Sequence, residues 1–172
     1  MREFDLKTLF LVRHAKSSWD DPALADADRP LSARGRRAAR RMGRRLAKAH
    51  EHQDLLVSSP AARALRTARI LARRLGYPRR TIVVNPHIYA CSAPQLLHTV
   101  QLLDDRYQTV MLVGHNPEIT VFAHGFCAQI THMPTCAIAR LRFDIDSWGD
   151  IGTATPVDAA FDYPKRPKRE HT

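Results

Sequence analysis

Three short apolar runs, each delivering a polar pair, constrain the fold of this chain more than any other feature. Leu9-Phe10-Leu11-Val12 leads into Arg13-His14, Leu55-Leu56-Val57 into Ser58-Ser59, and Val110-Met111-Leu112-Val113 into Gly114-His115. Runs of this length are too short for buried helices and suit strands covered on both faces. Strands are therefore expected over residues 8–13, 55–58, 81–85 and 109–113. Helical segments fill the gaps between them. One runs from a Ser32 cap to about 49, a second from Pro60 to a stop at Gly76. A third opens on a Ser92/Gln95 capping box and reaches about 103, and a fourth runs from Asn116-Pro117 to about 128. Residues 16–30 read as an Asp-rich loop. Residues 140–143 and 153–157 read as later strands with no helix between them, which suits an antiparallel edge.

This alternation implies an α/β fold: a single domain in three layers, α/β/α, with a mixed, mostly parallel sheet flanked by helices. A chain of 172 residues with 44% hydrophobic content is long enough to bury one core. The domain is expected over residues 1–162, with a basic, disordered tail over 163–172. No apolar run approaches a membrane span. Cys91, Cys127 and Cys136 are odd in number and lack CxxC spacing, so reduced thiols and a cytoplasmic location are expected. The histidines show no metal-ligand spacing, and neither metal nor cofactor is expected. Nothing in the sequence sets the oligomeric state.

The net charge is +10, and much of it lies in Arg34-Gly35-Arg36-Arg37, Arg40-Arg41 and Arg44-Arg45, at helical spacing with Ala39, Met42 and Leu46. The plain reading is a solvated helix face. The sharper one is steering of an acidic or phosphorylated partner. Nucleic acid is disfavoured, because there is no aromatic-interleaved strand motif and no zinc-finger spacing.

In sheets of this kind ligands bind beyond the carboxyl ends of the strands. Arg13, His14 and His115 fall there, as does Arg63, which follows Ser58-Ser59-Pro60. A phosphoryl group in transfer spreads negative charge over three oxygens, and two guanidinium forks match that charge and shape. A neutral imidazole among them is a suitable nucleophile for phosphorus. His14 fills that role if neighbouring positive charge lowers its pKa and a backbone carbonyl fixes its tautomer. Arg13, Arg63 and His115 form the phosphate-binding set, with His115 a further donor if protonated. Ser59 and Thr67 read as turn and packing residues, and Tyr89 and Trp19 as either mouth or core.

These residues resemble a known family. Arg13-His14-Ala15, the segment from Ser58-Ser59-Pro60 through Arg63-Ala64 to Thr67-Ala68, and Gly114-His115-Asn116-Pro117 look like the histidine phosphatase (phosphoglycerate-mutase-like) superfamily. Arg13-His14-Ala15-Lys16-Ser17-Ser18-Trp19, followed by Asp28-Arg29-Pro30-Leu31-Ser32 and Gly35, is similar to its small SixA-like phosphohistidine phosphatase branch. The resemblance implies that His14 is transiently phosphorylated and that Arg13, Arg63 and His115 bind phosphate.

Two departures matter. Many members carry a Glu general acid where this chain reads Pro86-His87-Ile88-Tyr89-Ala90-Cys91-Ser92, with no carboxylate. Some place an amide six residues after the nucleophile, where this chain has Asp20. An alkoxide leaving group needs a proton, whereas imidazole is a far better leaving group. The favoured substrate is therefore a phosphohistidine on a protein. One rival is a small-molecule phosphomonoesterase using a loop Asp as acid: Asp20 first, then Asp21, Asp26 or Asp28. Another is a non-catalytic module binding phosphoprotein or nucleic acid through the same basic residues.

Overall fold

The computed structural model of the protein describes residues 6–166. Six strands form one sheet in the order β3-β2-β4-β1-β5-β6. They are β1 (Lys7–Arg13), β2 (Leu55–Ser58), β3 (Val83–Val84), β4 (Thr109–Gly114), β5 (Ile138–Phe143) and β6 (Asp158–Asp162). The first four are mutually parallel, and β5 and β6 run antiparallel to their neighbours. The four helices are α1 (Ala33–Lys48), α2 (Ala62–Leu75), α3 (Ala93–Gln101) and α4 (Glu118–Phe126). The mixed α/β sheet expected from the sequence is the one observed.

Alternation along the central strands divides the core in two. Leu9 and Leu11 of β1, with Val110 and Leu112 of β4, face the α3/α4 layer and meet Leu96, Val100, Ile119 and Phe122. Phe10 and Val12, with Met111 and Val113, face the α1/α2 layer and meet Ala39, Met42, Ala64, Ala68 and Leu71. The caps are also where the sequence put them. Ser32 Oγ accepts from the Gly35 N–H at 3.0 Å, Ser92 and Gln95 form the reciprocal box, and Gly76 ends α2 in the left-handed conformation.

Two strands differ from expectation. The strand expected at 81–85 shrinks to two residues behind a 3₁₀ turn, Arg79–Thr81. The last strand lies at Asp158–Asp162, not 153–157. The reason is Trp148, which is wholly buried, donates its backbone N–H to Asp105 Oδ1 at 2.7 Å and donates its indole N–H to Tyr107 O at 2.8 Å. With Ile151 also buried, Trp148–Thr153 is drawn into a 3₁₀ helix against α3. Pairing resumes only where Asp158 meets Arg142. Residues 163–166 of the expected tail lie against α1, where Arg45 donates to Tyr163 O at 2.9 Å and Arg41 to Pro164 O at 3.1 Å. The remainder, 167–172, lies outside the described residues.

The start of α1 sits directly on the segment that leaves β1. The Ser32 N–H donates to Lys16 O at 2.9 Å, and a Cβ at Gly35 would lie 2.1 Å from that same oxygen. Only glycine permits this approach. Gly35→Ala is expected to cost about 1–3 kcal/mol of stability. Gly125→Ala, in α4 with open space around it, should be neutral or stabilise by up to ~1 kcal/mol. Urea denaturation of the two variants checks this contrast.

Candidate active site

Register builds the site. Arg13 stands opposite Gly114, so the residues that follow, His14 and His115, leave the sheet side by side with ring centroids 5.0 Å apart. The His14 N–H donates to Gly114 O at 3.0 Å, and the Cys136 N–H reaches the carbonyls of both Arg13 and His14 at 3.1 Å. Thr67 ties this corner to α2. Its Oγ1 accepts from the Ala15 N–H at 3.0 Å and donates to Arg63 O at 2.7 Å. One hydroxyl thus fixes the backbone after His14 and the backbone of Arg63 together.

Hydrogen bonding sets the tautomers. His14 Nδ1 lies 2.8 Å from Ala15 O, which can only accept, so Nδ1 carries the proton. Its Nε2 is then a lone pair, facing the Arg63 Nε–H at 3.3 Å. His115 Nδ1 faces an Arg63 NH2 donor at 3.4 Å, which leaves its Nε2–H to donate to Ser59 Oγ at 2.7 Å. Burial is the main force on both rings. It lowers His14 to about 4, assisted by the charges of Arg63, Arg13 and Arg29 and opposed by the Ala15 carbonyl. It lowers His115 to about 3, assisted by His14 and Arg63. His115, which the sequence made a further donor if protonated, is thus neutral at pH 7 in this arrangement of side chains.

Arg63 is the hub. It is buried and, besides the two imidazoles, binds Asp26 twice, through the backbone oxygen at 2.6 Å and the carboxylate Oδ2 at 2.9 Å. Arg13 donates to Met133 O at 2.8 Å, while its buried Nε has no partner among the described residues. The pocket therefore holds two guanidinium groups and two neutral imidazoles.

Asp26 arrives through the loop. Ser17 bridges to Leu31 at the loop base. Inside it Arg29 donates to Ser17 Oγ at 2.7 Å and Ser18 O at 3.2 Å, and stacks 3.1 Å from the Trp19 ring centre. That pin folds Asp26–Asp28 into a 3₁₀ turn over α2. Tyr89 completes the rim. Its hydroxyl donates to Asp26 Oδ2 at 2.8 Å, and its ring meets His115 edge-on at 5.5 Å. The hydrogen bond from Tyr89, then that from Arg63, holds Asp26 below the usual carboxylate range, and the same contact pushes the Tyr89 phenol up.

The structure thus brings together Arg13, His14, Arg63 and His115. Asp20, the first choice among the loop carboxylates, is exposed, and its carboxylate makes none of the site's hydrogen bonds or ion pairs. Spacing along the chain favoured Asp20, whereas the Arg29 pin selects Asp26. Ser59 touches His115 directly, a contact hidden in a motif that reads as a turn. Among the described residues no cluster of three or more His, Cys, Asp or Glu is placed to hold a metal, and no helix is long and apolar enough to cross a membrane.

A model of the histidine phosphatase superfamily (branch 1) matches residues 9–86. An uncharacterized chloroplastic protein of Arabidopsis thaliana is 30% identical over 150 residues, spanning 83% of this chain and 69% of its own. The structure of a candidate phosphohistidine phosphatase SixA from Nakamurella multipartitia superimposes with a TM-score of 0.79 at 25% identity, covering 94% of this chain and 98% of that one. A candidate SixA from Agrobacterium tumefaciens gives 0.75 at 26% identity, covering 90% and 97%.

The lowered pKa values predict a pH response. In the unfolded chain both imidazoles take up protons below about 6.5, while the folded chain resists protonation until about 4 and about 3. Their contribution to stability is therefore full above pH 6.5 and is lost as pH falls toward 4. NMR titration should give His14 a midpoint near 4, with the urea midpoint falling over the same acid range. A His14 midpoint near 6.5 would contradict the electrostatics described.

Proposed function

The chain belongs to the histidine phosphatase superfamily, and we propose that it is a phosphatase working through a transient phosphohistidine on His14, with protein phosphohistidine as substrate. The observation that carries the reading is the His14 ring itself. Its Nδ1–H is fixed on Ala15 O and its Nε2 lone pair faces Arg63.

In the proposed reaction the donor's phosphoryl group exchanges for the Asp26 carboxylate on Arg63. Its oxygens are held by Arg63, by Arg13 through the unpartnered Nε–H, and by His115. Arriving negative charge raises the His115 pKa and favours its protonated, doubly donating form. Nε2 attacks phosphorus in line, so a P–N bond to His14 forms while the bond to the leaving group breaks. Water then attacks the phosphohistidine, releasing inorganic phosphate and returning His14 neutral.

The leaving group decides between substrates. Asp26, whose hydrogen bond from Tyr89 is the main force lowering its pKa, enters the reaction as a carboxylate with no proton to give, and Tyr89 is a weaker acid than a free phenol. An alkoxide would depart unassisted, whereas the substrate's phosphohistidine takes up a proton on its other ring nitrogen near neutral pH, so that its imidazole departs as a neutral molecule without an enzymic acid. This favours phosphohistidine over an alkyl phosphomonoester. The SixA designation of the two similar structures points the same way. Three cysteines without disulfides fit a reducing, cytoplasmic setting.

The test compares phosphate release from a phosphohistidine-bearing protein and from an alkyl phosphomonoester. Wild type is expected to turn over the first much faster. His14→Ala should reduce release to background, and Arg63→Ala should lower kcat by about 10²–10³. Asp26→Asn should leave phosphohistidine turnover within a few-fold. If Asp26→Asn instead abolishes a fast alkyl-ester activity, Asp26 is a general acid and the small-molecule reading replaces this one.

A further inference from the structure

The positive charge carried by the four helices is confined to one layer. α1 carries eight Arg and Lys residues and no carboxylate, and α2 carries five and none. On the other face of the sheet α3 carries no Lys, Arg, Asp or Glu, and α4 carries only Glu118. A surface selected only for solubility mixes its signs. Here Arg36 and Arg40, Arg37 and Arg41, Arg40 and Arg44, and Arg41 and Arg45 repeat one turn apart as like-charged pairs, each of which opposes helix formation. Internal ion pairs neutralise Arg45, on Asp162, and Arg63, on Asp26. Arg34, Arg37, Arg40 and Arg44 are exposed and have no hydrogen-bond or ion-pair partner among the described residues.

Part of this layer forms a groove of about 360 Å³. Lys16, Arg34, Arg37, Arg41 and Lys165 line it, with no carboxylate among its walls. Its lining includes residues of the two segments that brace the phosphate pocket. Lys16 is the second residue after His14, and its carbonyl is held by Ser32. Pro134 and Thr135, also in the groove, separate Met133, which binds the Arg13 guanidinium, from Cys136, whose N–H braces Arg13 and His14. A protein presenting a phosphoryl group to His14 brings its neighbouring surface toward these five cations.

We propose that this groove docks an acidic surface patch of the phosphoprotein substrate beside its phosphorylated histidine. The proposal rests on the phosphohistidine-protein reading and adds to it the charge of the partner and the place where it is read. Because Lys16 follows His14 by two residues and Pro134 and Thr135 lie between the residues that hold Arg13 and His14, the groove favours a substrate that reaches the pocket over a separate nucleic acid. Such contacts act mainly on encounter and apparent affinity, and salt weakens them.

The experiment is steady-state kinetics of wild type and Arg34→Glu/Arg37→Glu on two substrates: a phosphohistidine-bearing protein domain of net negative charge, and p-nitrophenyl phosphate. The double variant is expected to raise KM for the protein about 10-fold or more with kcat unchanged, and to lose most of the wild type's salt dependence. The small substrate should be turned over as by wild type, which also shows that the variant folds. Arg34→Gln/Arg37→Gln should fall between the two. An unchanged KM for the protein overturns the docking site. So does an unchanged KM accompanied by loss of duplex DNA binding, which would assign the layer to nucleic acid. Failure of wild type itself to release phosphate from the protein, while it cleaves p-nitrophenyl phosphate, would instead overturn the parent reading and the docking site with it.

Discussion

Parallel pairing of β1 with β4, with Arg13 opposite Gly114, is the constraint from which the rest of the site follows. Both strands are covered on their two faces, and each face has its own packing partners: α3 and α4 on one side, α1 and α2 on the other. A slip of one residue would exchange Leu9 and Leu11 with Phe10 and Val12 between two half-cores of different shape. The same slip would part His14 from His115. Core packing and site geometry are thus enforced by one register. Thr67 and Cys136 then hold the turn after β1 from two sides, so the imidazole is positioned by backbone rather than by its own rotamer alone.

The electrostatics of the pocket follow from that positioning. Two buried imidazoles share this space with two guanidinium groups, and desolvation together with the arginine charges keeps both rings neutral. A neutral His14 is a nucleophile at the pH of the cell, whereas a protonated one is not. On the proposed mechanism the arginines serve twice: they attract the phosphoryl group and add to the desolvation that keeps the His14 nitrogen free of a proton. Among the described residues Asp26 is the carboxylate bound to this cluster, where it neutralises Arg63; on the proposed mechanism the phosphoryl group takes its place.

Much of this was legible in the sequence because it depends on local pattern. Short apolar runs located the central strands, Ser32 and Ser92/Gln95 located two helix starts, and the residues ending the runs located Arg13, His14 and His115. Arg63 needed the preceding Ser-Ser-Pro to be told apart from Arg66 and Arg69. What escaped was tertiary. Asp26 enters the site because Arg29 pins its loop through Ser17, Ser18 and Trp19, none of which is visible as spacing. The last strand was misplaced because a buried Trp148 holds residues 148–153 as a 3₁₀ helix, against the β-branched residues that suggested strand just after it.

The most direct test of the account is to quench the reaction with a phosphohistidine protein substrate in its first turnover and map the phosphoryl group on the enzyme by mass spectrometry and ³¹P NMR. Because Nδ1–H is committed to Ala15 O, the account predicts an acid-labile phosphoryl group on His14, attached at Nε2. A phosphoryl group on Nδ1 or on another residue, or turnover with none on the enzyme, would contradict it.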